Sequence, residues 1–135
     1  MKEKTIKICK KNNIIPSRSK GQNFLINESV YDAIIEAANI SQNDLVIEVG
    51  PGLGFLTEKL SLKAKKVIAI ELDDNLAMYL EKKFAENDKI EIVNQNVLDY
   101  INNGELSLIG DFKVVANLPY NISSIFLRTI FEQKN

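Results

Sequence analysis

A short apolar run that ends in alternate glycines constrains the fold more than any other part of the sequence. Residues 45–49 read Leu-Val-Ile-Glu-Val, which is typical of a buried parallel strand. Gly50, Gly52 and Gly54 follow, and an amphipathic segment begins at Phe55. A strand that ends in glycines and opens a helix places backbone N–H groups at the carboxyl end of a sheet, where open α/β sheets bind ligands. Gly50 and Gly52 can adopt positive φ and let a ligand approach the backbone.

An acidic residue closes the next apolar run. Residues 66–70 predict a second strand, and Glu71 follows it, 21 residues after Gly50. An acid at this distance from the glycine turn is placed to accept hydrogen bonds from two ribose hydroxyls. Glu71 alone would be interpreted as a solvated strand-end carboxylate. Together with the glycine turn, it favours a site for a nucleoside.

The glycine spacing helps to choose the nucleoside. The dinucleotide pattern G-x-G-x-x-G requires glycine or alanine where this chain has Phe55, if the pattern starts at Gly50. Started at Gly52, the pattern fails at Thr57. A pyrophosphate cradle is therefore not favoured, which places S-adenosylmethionine ahead of a nicotinamide as the expected cofactor.

A tetrad suited to a planar amine follows a fourth apolar run, at residues 113–116. The side-chain oxygen of Asn117 and the carbonyl of Leu118 can both accept from an exocyclic NH2 group. Pro119 fixes the backbone, and Tyr120 offers a ring on which a base can stack. A turn with a buried tyrosine is the alternative. It explains Pro119 but not the position of the whole tetrad at the end of a strand.

The remaining periodicity completes an α/β pattern. Strands are predicted at 45–49, 66–70, 90–93 and 113–116, and helices at 28–39, 55–62, 74–86 and 122–132. The helix at 28–39 should pack on the sheet through Val30, Ile34, Ile35 and Ala38. The helix at 74–86 should bury Leu76, Tyr79, Leu80 and Phe84.

Four segments in this order resemble one enzyme family. They are Gly-Gln-Asn-Phe-Leu at 21–25, Glu-Val-Gly-Pro-Gly-Leu-Gly-Phe-Leu-Thr at 48–57, Glu-Leu-Asp at 71–73 and Asn-Leu-Pro-Tyr-Asn-Ile-Ser at 117–123. From about Ile15 onward the chain closely resembles the ribosomal RNA adenine dimethyltransferases, and within them the bacterial small-subunit branch. The related macrolide-resistance methylases usually carry a polar residue and a lysine where this chain has Pro51 and Leu53.

The resemblance implies a reaction and its residues. It implies S-adenosylmethionine-dependent dimethylation of the exocyclic amines of adjacent adenines near the 3′ end of small-subunit (16S) ribosomal RNA, during ribosome biogenesis. Separately, the sequence has no long apolar run and no signal-peptide pattern, so a cytoplasmic protein is expected. Asn117, Leu118, Pro119 and Tyr120 would form the catalytic tetrad. The cofactor residues would be Asn23, Leu25, Gly50, Gly52, Glu71, Asn96 and Asn117. Asn96 stands where relatives usually have aspartate, and we expect it to face the cofactor adenine with a weaker acceptor.

The resemblance also implies a longer domain. The family has a Rossmann-like methyltransferase sheet of seven strands in the order 3-2-1-4-5-7-6, followed by a small helical domain. This chain accounts for about four parallel strands, in the order 3-2-1-4. We therefore expect a basic arm at 1–20 and the N-terminal part of the catalytic domain at 21–135. The fourth strand would have an open edge, which would favour self-association. The surface that grips RNA would be largely absent, so the chain by itself would be a poor enzyme.

Charge and composition limit the other possibilities. The net charge is −1, but residues 1–20 hold seven basic residues and one acidic residue, so a basic arm precedes an acidic body. Such an arm suits RNA phosphates, although a solvated terminus explains it equally well. Cys9 is single, and the absence of histidine excludes His-based acid–base chemistry. No metal site is expected. A DNA or large-subunit RNA adenine methyltransferase, and a non-catalytic RNA-binding assembly factor, are the alternatives; Leu118 argues against a DNA enzyme, in which proline is commoner.

Overall fold

The computed structural model describes residues 2–12, 28–105 and 110–116, with backbone alone for residues 2–5. The order of elements in these ranges is α1 (Lys2–Lys11), α2 (Glu28–Ala38), β1 (Leu45–Val49), α3 (Phe55–Lys63), β2 (Lys66–Ile70), α4 (Asp74–Lys83), β3 (Ile90–Val93), α5 (Val97–Asn102) and β4 (Lys113–Ala116). All four predicted strands are confirmed with their bounds. The helix predicted at 122–132 lies outside the described residues.

The four strands form one parallel sheet in the order β3-β2-β1-β4, which confirms the predicted order. Val46 of β1 pairs with Val67 of β2 on one side and with Lys113 of β4 on the other. The two central strands are buried along nearly their whole length. Buried parallel strands read as continuous apolar runs, and this is why the sequence identified them.

Alternate residues of the central strands pack on opposite layers of helices. Ile47 and Ile68 belong to a cluster with Val97, Tyr100 and Ile101 of α5. On the other face, a second cluster combines strand and helix residues, namely Val46, Val67 and Val115 with Tyr31 and Ile35 of α2 and Leu56 and Leu60 of α3. The alternation follows from the two-residue period of a strand. The sheet is therefore the middle layer of three.

The predicted inward face of α2 needs one correction. Ile35 is buried and Ile34 and Ala38 are partly buried, as expected. Val30 is 37% exposed, so its placement in the core was wrong. Tyr31, one residue later, is buried in its place. The helical spacing of Tyr31, Ile35 and Ala38 gives the observed inward face. The prediction started one residue too early, at Val30, and so misplaced the first residue of that face.

Two described helices were not predicted. Helix α5 has only six residues, but its apolar residues Val97, Tyr100 and Ile101 follow helical spacing and are buried. Helix α1 lies within the region expected to be an arm. Its sequence is rich in lysine but includes a short apolar face formed by Ile8 and Cys9. Cys9 on that face is buried in a cluster with Leu53 and Leu76.

Helix α4 is shorter than predicted. It ends at Lys83 instead of reaching Glu86, because Phe84 leaves the helical conformation with φ −106° and ψ 18°. Its N–H still donates to the carbonyl of Leu80, and a turn follows through Asn87. Of the residues expected to be buried here, Leu76, Leu80 and Phe84 are buried and Tyr79 is partly buried.

Gly54 joins the glycine turn to α3 at a point of close packing. Its φ of +84° lies in the left-handed region, and it precedes the first residue of α3. A Cβ at this position would lie 2.8 Å from both Leu80 Cδ2 and Phe84 Cε2 of the α4 region. Glycine is therefore required here for two reasons, the backbone conformation and the contact with α4.

Gly54→Ala should destabilise the protein more than Gly110→Ala. Gly110 has a similar φ of +80°, but nothing lies within 4 Å of its Cβ position. The left-handed conformation costs alanine about 1–2 kcal/mol at either position. Overpacking should add about 1–3 kcal/mol at Gly54 alone. Urea denaturation of the two variants measures the difference, and equal losses of stability would contradict the packing argument.

Candidate functional site

The glycine turn lies at the carboxyl ends of the two central strands. Gly50 and Gly52 have φ of 71° and 60°, so the expectation of positive φ is confirmed at both. The N–H of Gly50 donates to the carbonyl of Ile70 at 3.1 Å, which extends the pairing of β1 and β2 by one bond. The turn therefore begins next to the residue that ends β2.

Glu71 connects the two strand ends. Its Oε1 accepts from the N–H of Gly52 at 3.3 Å, and its Oε2 accepts from the N–H of Asp73 at 2.9 Å. Only 6% of Glu71 is exposed, so the alternative of a solvated carboxylate is wrong. Burial raises the pKa of Glu71, and these backbone donors partly oppose that shift. The structure thus brings together three of the predicted cofactor residues, Gly50, Gly52 and Glu71.

Glu48 is a second buried carboxyl group near the site, and sequence reasoning missed it. It lies in β1 with 3% exposure and accepts a hydrogen bond from the hydroxyl of Thr57 on α3. Burial raises its pKa to about 7, and the charge of Glu71 contributes in the same direction. A glutamate inside an apolar strand requires a buried donor, and that requirement could have pointed to a partner on the next helix.

Asn96 lies after β3, the strand next to β2. Its Oδ1 accepts from the N–H of Leu98 at 2.8 Å, and it is the N-cap of α5. The N–H of Glu71 donates to the carbonyl of Val93 at 2.9 Å, so β3 and β2 end at the same edge. The structure gives Asn96 a capping role, which sequence reasoning did not predict. Its contact with a cofactor stays a prediction.

The other predicted site residues lie outside the described residues. They are Asn23, Leu25, Asn117, Leu118, Pro119 and Tyr120. The strand before the tetrad is described, and its last residue, Ala116, pairs with Val49 of β1. That pairing puts the end of β4 beside the start of the glycine turn.

The described ranges hold neither a metal-binding group of side chains nor a membrane-spanning helix. No group of three or more Cys, Asp or Glu side chains there is arranged to hold a metal ion. Among the helices of those ranges, none has the length and apolar character needed to span a membrane.

The fold and the site define a class of protein. A parallel sheet of order 3-2-1-4, with a glycine turn after β1 and an acid after β2, is shared by dinucleotide-binding Rossmann folds and by the Rossmann-like fold of S-adenosylmethionine-dependent methyltransferases, and the glycine spacing favours the methyltransferases. The comparisons then identify the family. A family model described as ribosomal RNA adenine dimethylase matches residues 16–135, so the chain belongs to the ribosomal RNA adenine dimethylase family.

Curated relatives agree with this assignment. The chain is 39% identical over 137 residues to ribosomal RNA small subunit methyltransferase A of Alkaliphilus metalliredigens, covering 97% of this chain and 47% of that protein. It is 42% identical over 124 residues to the protein of the same name from Clostridium perfringens, covering 90% of this chain and 42% of that protein. The chain therefore spans about half the length of the curated relatives it matches.

Two solved structures share the fold, each with about 30% sequence identity to this chain. A dimethyladenosine transferase from Plasmodium falciparum is 31% identical with a TM-score of 0.69, covering 82% of this chain and 38% of that chain. The 23S rRNA methyltransferase ErmE is 30% identical with a TM-score of 0.65, covering 82% of this chain and 42% of that chain.

The buried carboxyl of Glu48 should make stability depend on pH. In the folded protein it keeps its proton up to about pH 7, whereas its ordinary pKa is 4.5. Between pH 4.5 and pH 7 the folded state therefore binds more protons than the unfolded state. The stability that protonated Glu48 contributes is complete below about pH 4.5 and is lost as the pH rises through 7. The full shift corresponds to about 3 kcal/mol.

Glu48→Gln should flatten this pH dependence. The original chain should lose stability between pH 4 and pH 8, and the variant should not lose the part that is due to Glu48. The free energy of unfolding of the variant, minus that of the original chain, should therefore rise across this range by roughly that amount. Urea denaturation across that range measures the effect. Glu81→Gln, an exposed change on α4, is the control. Glu71 gives the free energy of unfolding a pH dependence of the same sign in the original chain and in both variants. Parallel curves for Glu48→Gln and the control would therefore contradict the role of Glu48.

Proposed function

We propose that this chain forms the S-adenosylmethionine-binding part of an enzyme that dimethylates adjacent adenines near the 3′ end of small-subunit ribosomal RNA. One observation carries the proposal. The Glu71 carboxylate accepts from the Gly52 N–H at 3.3 Å, so an acid at the end of β2 lies against the glycine turn after β1. This juxtaposition is the one that a nucleoside site requires.

The described residues fit such a cofactor. Gly50 and Gly52 present no Cβ and have positive φ, so a ligand can approach their backbone closely. The Glu71 carboxylate has about four acceptor sites, of which the N–H groups of Gly52 and Asp73 occupy two and Leu72 adds a weaker backbone contact, so acceptor capacity remains. That capacity suits the two hydroxyls of a ribose. When bound, S-adenosylmethionine supplies an activated methyl group on a sulfonium sulfur.

Asn96 would hold the adenine side of the same nucleoside. Its Oδ1 already caps α5, but an amide oxygen has two lone pairs and can accept a second hydrogen bond from the adenine amine. Its position after β3 agrees with an adenine beyond the ribose that Glu71 would hold. By family resemblance, Asn23, Leu25 and Asn117 would complete the cofactor contacts.

The substrate adenine would be held by the tetrad at 117–120. Asn117 and Leu118 would accept hydrogen bonds from the exocyclic amine, which orients the nitrogen lone pair and stabilises the positive charge that develops on it. Pro119 would fix this backbone, and Tyr120 would stack on the flipped base. The protein would accelerate transfer mainly by positioning the two reactants. Each methyl transfer releases one proton from the amine to solvent, so a dimethylated nitrogen loses two protons in all, and we assign no dedicated general base.

The basic helix α1 supports RNA as the partner. Lys7, Lys10 and Lys11 are exposed, whereas Cys9 is buried against Leu53 of the glycine turn. The lysines of α1, held beside the glycine turn, can contact phosphates of the RNA that enters the site. We retain the division into a basic arm at 1–20 and a catalytic part at 21–135. A substrate in the small ribosomal subunit implies a role in ribosome biogenesis and a cytoplasmic location.

Cofactor titration tests the proposal first. The chain should bind S-adenosylmethionine, and Glu71→Gln should bind it at least about tenfold more weakly, because a charged acceptor for the ribose is lost. Glu81→Gln should bind normally. Asn96→Asp should bind more tightly, since it restores a charged acceptor. Equal affinity of Glu71→Gln and the original chain by calorimetry would refute the ribose contact.

Methyl transfer tests the substrate. Tritiated methyl groups should reach under-methylated small subunits, with large-subunit RNA and DNA as comparisons, when the chain is in excess so that slow transfer is visible. Asn117→Ala should lower the single-turnover rate more than it lowers RNA affinity. Transfer to large-subunit RNA or DNA instead would favour those alternatives. Cofactor-independent subunit binding without transfer would favour an assembly factor.

We also propose that these 135 residues self-associate through the edge of β4. Within the described ranges β4 pairs only with β1, and Val114 is 36% exposed. An exposed apolar edge strand can pair with another chain. Light scattering should detect dimers or larger species, and Val114→Lys should reduce them because a charged edge resists pairing. A monodisperse monomer before the substitution would disprove this proposal.

A further inference from the structure

Lys83, the last residue of α4, makes a contact with the glycine turn. Its Nζ donates to the carbonyl oxygen of Leu53 at 3.0 Å, and the side chain is half-buried. The two residues are far apart in sequence, so the contact joins the end of one helix to the turn that precedes another. A hydrogen bond from an ammonium group is stronger than one between neutral groups.

Three aromatic rings surround the same ammonium group. Nζ lies 4.9 Å from the ring centroid of Phe55, 5.3 Å from that of Phe84 and 5.8 Å from that of Tyr79. All three distances are within the range of cation–π attraction. The rings come from the start of α3 and from the α4 region, so they hold Nζ between two elements. Its position is therefore more restricted than that of a lysine in solvent.

The Leu53 carbonyl matters because of where its peptide lies. Leu53 and Gly54 share that peptide, and the N–H of Gly54 donates to the carbonyl of Pro51 at 3.0 Å, which closes the turn. Fixing the oxygen of a planar peptide also fixes the direction of its N–H. Lys83 therefore constrains the closing half of the turn, while Glu71 constrains Gly52 in its opening half.

The side chains around the turn leave its backbone orientation to polar contacts. The Leu53 side chain is 2% exposed and packs with Cys9 and Leu76. Gly54 has no side chain with which to resist rotation. Apolar contacts are non-directional, so they bury the turn without setting the direction of each peptide. The bond from Lys83 supplies that direction at Leu53.

We propose that Lys83 is a positioning residue, which holds the turn at residues 52–54 in the conformation that receives S-adenosylmethionine. The inference rests on the proposed function, since it assigns a role within the same site. Lys83 itself contacts the turn from the α4 side and is not assigned a contact with either reactant. Its loss should therefore appear in cofactor affinity and in the mobility of the turn.

A simpler role for Lys83 is to stabilise the end of a helix. A cation in the last turn interacts favourably with the helix dipole, and both Lys82 and Lys83 occupy that turn in α4. Lys82 is exposed, which makes Lys82→Met a matched control for the loss of charge. Lys83→Met keeps an apolar stem against the rings but removes the donor. Lys83→Arg keeps both a cation and a donor.

The experiment combines two measurements on the original chain and the three variants. Calorimetry should show that Lys83→Met binds S-adenosylmethionine roughly three- to tenfold more weakly. This is less than the full loss of a charged hydrogen bond, because Lys83 acts through the turn and not on the cofactor. Amide exchange without cofactor should be faster at Gly54 in Lys83→Met by a similar factor. Lys83→Arg should recover most of both properties. Lys82→Met should match the original chain in both.

Each result decides the inference. If Lys83→Met and Lys82→Met have equal affinities and equal exchange at Gly54, Lys83 only stabilises the helix end and the inference is overturned. In that case the original chain still binds the cofactor, so the proposed function survives. If the original chain binds no S-adenosylmethionine, the proposed function fails and the inference fails with it. Weaker binding with faster Gly54 exchange in Lys83→Met alone supports the inference.

Discussion

The parallel pairing of β1 with β2, buried on both faces, is the constraint on which the rest of the structure depends. Parallel neighbours end at the same edge, so the residues that follow β1 and β2 must meet there. Because helices cover both faces of these two strands, a polar side chain can be accommodated only at a strand end or beside a buried hydrogen-bond partner. The glycine turn and Glu71 illustrate the first case, and Glu48 with Thr57 the second.

The sequence predicted the sheet well for a physical reason. A strand buried on both faces must be a nearly continuous apolar run, as β1 and β2 are, and the partly buried strands β3 and β4 are also short runs rich in Ile or Val. Helix α5 escaped because six residues hold too few turns for periodicity to stand out. Helix α1 escaped because its many lysines resemble a solvated segment, whereas its burial depends on Cys9 meeting two distant leucines. Such burial is a tertiary property that local pattern cannot contain.

The candidate site divides along the same line. Gly50, Gly52 and Glu71 could be predicted because backbone freedom and a strand-end acid are local requirements. The partners that hold them could not be predicted as easily. The Glu71 contact with Gly52, the Thr57 contact with Glu48 and the Lys83 contact with Leu53 each join residues from different elements. Asn96 shows a further limit, since one side chain can serve a helix cap and a ligand, and sequence reasoning considered only the ligand.

The packing of Cys9 gives the chain a natural reporter. The sequence has one cysteine, and that thiol is 8% exposed in the contact between α1 and the glycine turn. Burial raises the pKa of the thiol, so the docked form reacts slowly. A thiol reagent must wait for α1 to leave the turn, and the labelling rate then measures the free energy of that local opening. The exchange between docked and undocked α1 can thus be followed without engineering a cysteine into the chain.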